Sequence, residues 1–327
     1  MNPTERIVID LPGYIELRSR KRTEHLVDGT PDYSFSLDNQ LRRRLSSIPP
    51  LRLLARFLSR SAEPLMQQFN MMRMVAVGPA QLPEVFEMGQ ACAATLGIGV
   101  PRIFVEPSDT VNAYTYATDD IKPSIVITSR LLRALEPDEL MAVIGHECGH
   151  IHNLHMAYNT IVVLMANSGA KLLLVGAAAR GVSLPLLRQL ATFSRLGIGL
   201  AMQRWSRCAE VTSDRAGAIC AGSTDAMIRA LLKIATAGEI DLKHLDVDAY
   251  LRQLESVKST LVRLSELESS HPIIPKRIQA LRYFARSEPF LRWRPELRGA
   301  EPTLTHELLD RACEPLISVL SADGAKR

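Results

Sequence analysis

A chain of 327 residues, 46% hydrophobic and 23% charged, can bury one large core or two ordinary ones, and its balance excludes disordered, fibrous and low-complexity classes. A net charge of +4 with only 5% aromatic residues leaves no basic stretch interleaved with aromatics, so nucleic acid is excluded as a partner. Five scattered cysteines without a CxxC pair argue against a disulfide framework and for a reducing compartment.

The opening MNPTERIVIDLPGYIEL lacks the charged-then-apolar order of an export signal, which makes the cytoplasm the expected location. Basic clusters at 18–22 (RSRKR) and 41–45 (LRRRL) read as a solvated N-terminal region, with peripheral contact to an anionic membrane surface as the alternative. The lead contains short helices, broken at Pro49-Pro50 and Pro64, and a short strand at 74–78. Residues 82–98 carry helical apolar spacing and stop at glycines. Three β-branched or aromatic runs follow, 101–107, 111–118 and 123–129, bounded by Pro, Asp and Ser. They predict a small antiparallel sheet.

Pro137 with Asp138 and Glu139 behind it opens a helix, because Pro suits the first helical position and acids suit the positive helix end. From there to about residue 286 the pattern is helical, with loops near Gly181, Gly222, Gly238 and 269–272. The tail after Pro289 is proline-rich and then holds one amphipathic helix at 304–320. The class is α+β and mostly α, divided into an N-terminal region 1–80, a central domain 81–288 and a tail 289–327.

Residues 158–179 are long enough to span a membrane. Yet Asn167, Ser168, Gly169 and Lys171 lie near the middle, and a central Lys costs a few kcal/mol on insertion. The next apolar stretch carries Arg188 and Arg195. Two buried amphipathic helices are expected rather than a membrane hairpin, and whether 158–203 touches a membrane stays open.

The chemistry concentrates in AVIGHECGHIHNLH, residues 142–155. His146-Glu147-Cys148-Gly149-His150 is an H-E-x-x-H motif. On a helix, positions i and i+4 share a face about 6 Å apart along the axis, so two imidazoles can grip one ion. Glu147 flanks the first ligand and can reach a metal-activated water as general base. His152 lies about 200° around the helix from His150. A metzincin would place a glycine at Asn153 and its third ligand at Met156, so His155 does not complete that pattern. His152 and His155 therefore read as ordinary polar helix positions, and Cys148 as core. The best candidate for a third ligand is Glu210 in WSRCAEVTSDRAG, on another predicted helix. Asp214 follows four residues later on the same face, able to hydrogen-bond the outer nitrogen of a ligating histidine.

These residues resemble the zinc metallopeptidases that include HtpX and the CAAX prenyl proteases, gluzincins whose third ligand is Glu. The resemblance runs through the blocks VNAYTYATDDIKPSIVITSRLLRALEPDELMAVIGHECGHI, SRCAEVTSDRAG and SSHPIIPKRIQAL in order, over about residues 82–284. It implies a zincin-like metalloprotease fold with one Zn²⁺ per chain, held by His146, His150 and Glu210, with Asp214 behind them. It further implies His271 and Arg277 near the zinc as oxyanion stabilisers. Asn112, Ala113 and Tyr114 match the edge strand on which a peptide or unfolded protein substrate would pair.

The expected function is thus a zinc-dependent endopeptidase with Glu147 as general base. Helices around 161–200 are expected to cap the cleft and admit only unfolded or flexible segments. The alternatives are a non-proteolytic zinc scaffold or chaperone-like module on the same fold, and a membrane-associated protease. The weak apolar segments at 158–203 favour a soluble branch, cytoplasmic or peripherally membrane-associated; oligomeric state and cleavage preference stay open.

Overall fold

The computed structural model describes residues 25–27, 29–47, 72–118, 121–156, 198–253, 273–297 and 304–318. A two-residue hairpin, β1 (Leu26–Val27) with β2 (Thr30–Pro31), leads into helix α1 (Ser36–Ser46). Then come β3 (Val75–Ala76), α2 (Pro83–Leu96), β4 (Arg102–Glu106), β5 (Ala113–Thr118), β6 (Ile121–Thr128) and α3 (Ser129–Ala134). The helical part comprises α4 (Pro137–His152), α5 (Ile198–Ala221), α6 (Thr224–Ala235), α7 (Val247–Arg252), α8 (Ile274–Phe284), α9 (Glu288–Trp293) and α10 (His306–Ile317). The described residues are mostly helical around one four-stranded sheet, with the two-stranded hairpin apart from it, so the α+β, mostly α class expected from the pattern holds.

The four-stranded sheet has the order β3-β4-β6-β5. Two of its pairings are antiparallel, but β4 and β6 run parallel. The reason is topological: β5 goes to the edge and the chain then folds back as β6 between β4 and β5. Side-chain alternation reads only the faces of a strand, not its neighbour, so this order is invisible in the sequence. Ser124 to Ile127 on β6 are fully buried, which makes β6 the floor of the core. β5 is left as an edge strand.

Helix α4 starts at Pro137 with a capping box between Glu136 and Glu139. Glu139 is buried and also takes Lys233 Nζ at 2.7 Å and Arg229 Nε at 3.2 Å, tying the start of α4 to α6. Ile144, Cys148 and Ile151 are fully buried on α4, each large one contributing roughly 1.5–3 kcal/mol relative to exposure. The opposite side of α4 lies on α5, and small residues make that approach close. A Cβ at Gly145 would sit 2.5 Å from Cys220 Cβ, one at Gly149 2.6 Å from Ala216 Cβ, and one at Gly217 2.5 Å from the Ala142 carbonyl oxygen.

The apolar stretch 158–203 lies outside the described residues up to 197, as does His271. Among the described residues no helix is long and apolar enough to cross a membrane.

Candidate metal centre

His146 and His150 stand one turn apart on α4, and their Nε2 atoms are 3.2 Å apart. From α5, Glu210 Oε2 lies 3.6 Å from His146 Nε2 and Glu210 Oε1 lies 3.5 Å from His150 Nε2. All three are at most 6% exposed. For metal bonds of about 2.0–2.1 Å in a tetrahedron, neighbouring ligand atoms lie about 3.3–3.4 Å apart. The two imidazole nitrogens and the Glu210 carboxylate, which turns a different oxygen to each of them, are thus spaced about as a tetrahedral ligand set requires.

The hydrogen bonds behind the ligands assign their tautomers. His146 Nδ1–H donates to Asp214 Oδ1 at 2.9 Å, which leaves the His146 Nε2 lone pair facing inward. His150 Nδ1 is engaged by His155 Nδ1 at 3.0 Å, and His155 Nε2–H donates to Asp38 Oδ2 at 2.9 Å. With its proton on Nε2, His155 accepts from His150 Nδ1–H, and His150 Nε2 also faces inward as a lone pair. Two lone pairs and a carboxylate converging on one point repel one another unless a cation sits between them. The donor set therefore fits a borderline divalent ion such as zinc.

Arg277 on α8 braces the carboxylates. Its Nε donates to Asp214 Oδ2 at 2.8 Å, one terminal nitrogen to Asp214 Oδ1 at 2.5 Å, and the other lies 3.0 Å from Glu210 Oε2. Burial would raise the Asp214 carboxyl, but the Arg277 guanidinium and the His146 hydrogen bond outweigh it and hold the group below its ordinary value. For His146, burial pulls downward, yet the Asp214 hydrogen bond and the Glu210 charge dominate and raise it. A metal must displace that proton, so metal uptake weakens as pH falls.

Glu147 is 5% exposed and projects beside this cluster. Its Oε2 accepts from Thr115 Oγ1 at 2.5 Å, a contact from the edge strand β5. At the strand's entrance, Asn112 N–H donates to Thr128 Oγ1 and the Asn112 carbonyl accepts from Thr128 N–H, both at 3.0 Å. By antiparallel alternation, the backbone groups of Asn112, Tyr114 and Tyr116 face β6, and those of Ala113 and Thr115 face outward. Tyr114 is 37% exposed, its hydroxyl donating to Glu106.

The model of peptidase family M48 matches residues 79–285. The chain belongs to peptidase family M48. Similar curated proteins include the plastoglobule-localized metallopeptidase 48 of Arabidopsis thaliana, 31% identical over 69% of this chain and 61% of that protein. A protease HtpX homolog of Thermococcus sibiricus is 31% identical over 63% of this chain and 75% of its own length. The chain thus spans 61% of the plant relative's length. The solved structure of S. mikatae Ste24p overlays loosely, with a TM-score of 0.41 at 18% identity over 83% of this chain and 63% of that one.

Of the residues expected from the sequence, the structure gathers His146, His150, Glu210, Asp214, Arg277 and Glu147 into one buried site and sets Asn112, Ala113 and Tyr114 on the adjacent edge. The described bonds of Arg277 run to the carboxylates Glu210 and Asp214. His152 does turn away, its Nδ1 3.0 Å from Tyr33 Oη. His155 is the correction: it is no ordinary helix position but touches a candidate ligand. Leu154 adopts a left-handed φ of 60°, folding the chain back so that His155 N–H donates to the His150 carbonyl at 3.0 Å. Helical periodicity, carried past that break, points His155 elsewhere. Asp38 and Thr115 were also missed; no sequence spacing links them to the motif.

Proposed function

We propose that this chain is a zinc-dependent endopeptidase. The observation that carries the reading is the buried convergence of His146 Nε2, His150 Nε2 and a Glu210 carboxylate beside the uncoordinated carboxylate of Glu147. His146, His150 and Glu210 would hold the ion, whose chemistry when bound would be to acidify a water to a pKa near 7 and to polarise the scissile carbonyl. Glu147 takes the water's proton and returns it to the leaving amine. Asp214 fixes the His146 tautomer, and Arg277 holds Asp214 and Glu210 in place as a positioning residue. His271, by resemblance, stabilises the oxyanion.

The outward backbone groups of Ala113 and Thr115 support an extended substrate added to β5 as a further strand. An unfolded or flexible segment can supply such a strand; a folded one cannot without local opening. The five cysteines, all buried and unbridged, favour a reducing compartment, in keeping with a cytoplasmic workplace.

Chelation should abolish peptide hydrolysis and zinc alone should restore it; activity that persists in a zinc-free sample contradicts the reading. Thr115→Val removes the hydrogen bond that aims Glu147. It should lower kcat about tenfold, the equivalent of roughly 1.4 kcal/mol, with little change in KM, and Thr115→Ser should restore the rate. Steady-state kinetics on a fluorogenic peptide checks both.

A further inference from the structure

The most complete network that the peptidase reading leaves unused runs from the candidate ligand His150 into the N-terminal segment. Asp38 lies on α1, upstream of the residues that match the family, 79–285. It is fully buried and its carboxylate accepts three hydrogen bonds. Its Oδ2 takes His155 Nε2–H at 2.9 Å and Thr212 Oγ1–H at 2.8 Å, and its Oδ1 takes Trp205 Nε1–H at 2.9 Å. Trp205 and Thr212 belong to α5, the helix that carries Glu210. One carboxylate therefore joins α1, the turn after α4 and the helix of the third ligand.

Burying an ionised carboxylate costs several kcal/mol unless donors surround it, and here every neighbour named is a donor. For a neutral His155 these contacts define one proton placement. Asp38 accepts from His155 Nε2, His155 Nδ1 accepts from His150 Nδ1, and His150 Nε2 is left bare. The opposite tautomer at His155 would oppose two N–H groups or leave Asp38 short of a donor. His146 is fixed in the same sense, directly, by Asp214. Each imidazole of the pair is thus backed by its own carboxylate, one in contact and one through an intervening histidine.

We propose that Asp38 and His155 are positioning residues of the metal centre, fixing the tautomer and orientation of His150, so that the segment 25–47 is part of the metal-binding apparatus. This rests on the zinc reading above. Ligand-backing partners of this kind change metal affinity by about 10–100-fold.

The test is zinc affinity by chelator competition on full-length protein, with the visible spectrum of the Co²⁺-loaded form as a second readout and circular dichroism to confirm folding. His155→Leu and Asp38→Asn should each weaken zinc about 10–100-fold and shift the Co²⁺ bands. His155→Gln, whose amide can donate to Asp38 and accept from His150, should bind within a few-fold of wild type. Ser34→Ala removes the hydrogen bond from Ser34 Oγ to Asn153 Oδ1, a tie between the same two segments that does not touch Asp38, His155 or His150, and should leave zinc affinity unchanged. Wild-type affinity in His155→Leu, or an equal loss in Ser34→Ala, overturns the proposal while leaving the peptidase reading intact. A wild type that takes up no zinc overturns both. Should the variants fail to fold, ¹⁵N-histidine spectra of the wild type decide: a proton on His155 Nε2 and on His150 Nδ1 supports the relay, and the reverse tautomer at either ring overturns it.

Discussion

Glu147→Gln should keep zinc bound at one per chain and abolish peptide hydrolysis. The substitution preserves shape and can still accept the hydrogen bond from Thr115 Oγ1, so the local fold has no reason to change. Zinc affinity should hold because the three converging ligand atoms come from His146, His150 and Glu210, and Glu147 is not among them. What disappears is a group that can take a proton from water. General base catalysis is worth about 10²–10⁴ in rate; an amide also cannot return the proton to the leaving amine, so the loss should reach the upper end of that range. Paired zinc analysis and peptide digests read this directly. A Gln variant that digests peptides like wild type would remove Glu147 from the mechanism. A biological effect that survives without hydrolysis would favour a scaffold role.

Gly217→Ala should destabilise the protein by about 1–3 kcal/mol or more and weaken zinc binding. The added methyl would meet the Ala142 carbonyl oxygen at 2.5 Å, Met227 Sδ at 2.9 Å and the His146 backbone nitrogen at 3.3 Å. Only the methionine can move aside cheaply. The other two atoms are the acceptor and donor positions of one helical turn of α4, the turn that anchors His146, so the helices must part. Because His146 sits on α4 and Glu210 on α5, separation of the helices directly lengthens a ligand-to-ligand distance. Thermal unfolding and a zinc titration should therefore fall together. A variant less stable but with unchanged zinc affinity would show that the site tolerates helix separation.

The site was most legible where chemistry follows helical periodicity. H-E-x-x-H and E-x-x-x-D each place their members on one face, and both pairs meet in the structure as their spacing implies. The start of α4 at Pro137 and the strand at 113–118 were equally readable, from proline and from β-branched and aromatic patterning, whereas the strand's place at the edge was implied only by the family resemblance. Legibility ended where the backbone leaves a regular period. His155 reaches His150 only through the left-handed Leu154. Asp38 reaches His155 across 117 positions, a contact that no local pattern encodes. Thr115 faces Glu147 because β5 packs on α4, a tertiary fact. The parallel β4–β6 pair follows from strand order, which side-chain alternation does not record.

The most direct test of a His-His-Glu zinc centre is X-ray absorption at the zinc edge of the purified protein. The expected result is one zinc per chain in a first shell of nitrogen and oxygen only, at about 2.0–2.1 Å, with outer-shell scattering from two imidazoles. A sulfur shell at about 2.3 Å, or a protein that binds no zinc, would contradict the assignment of His146, His150 and Glu210.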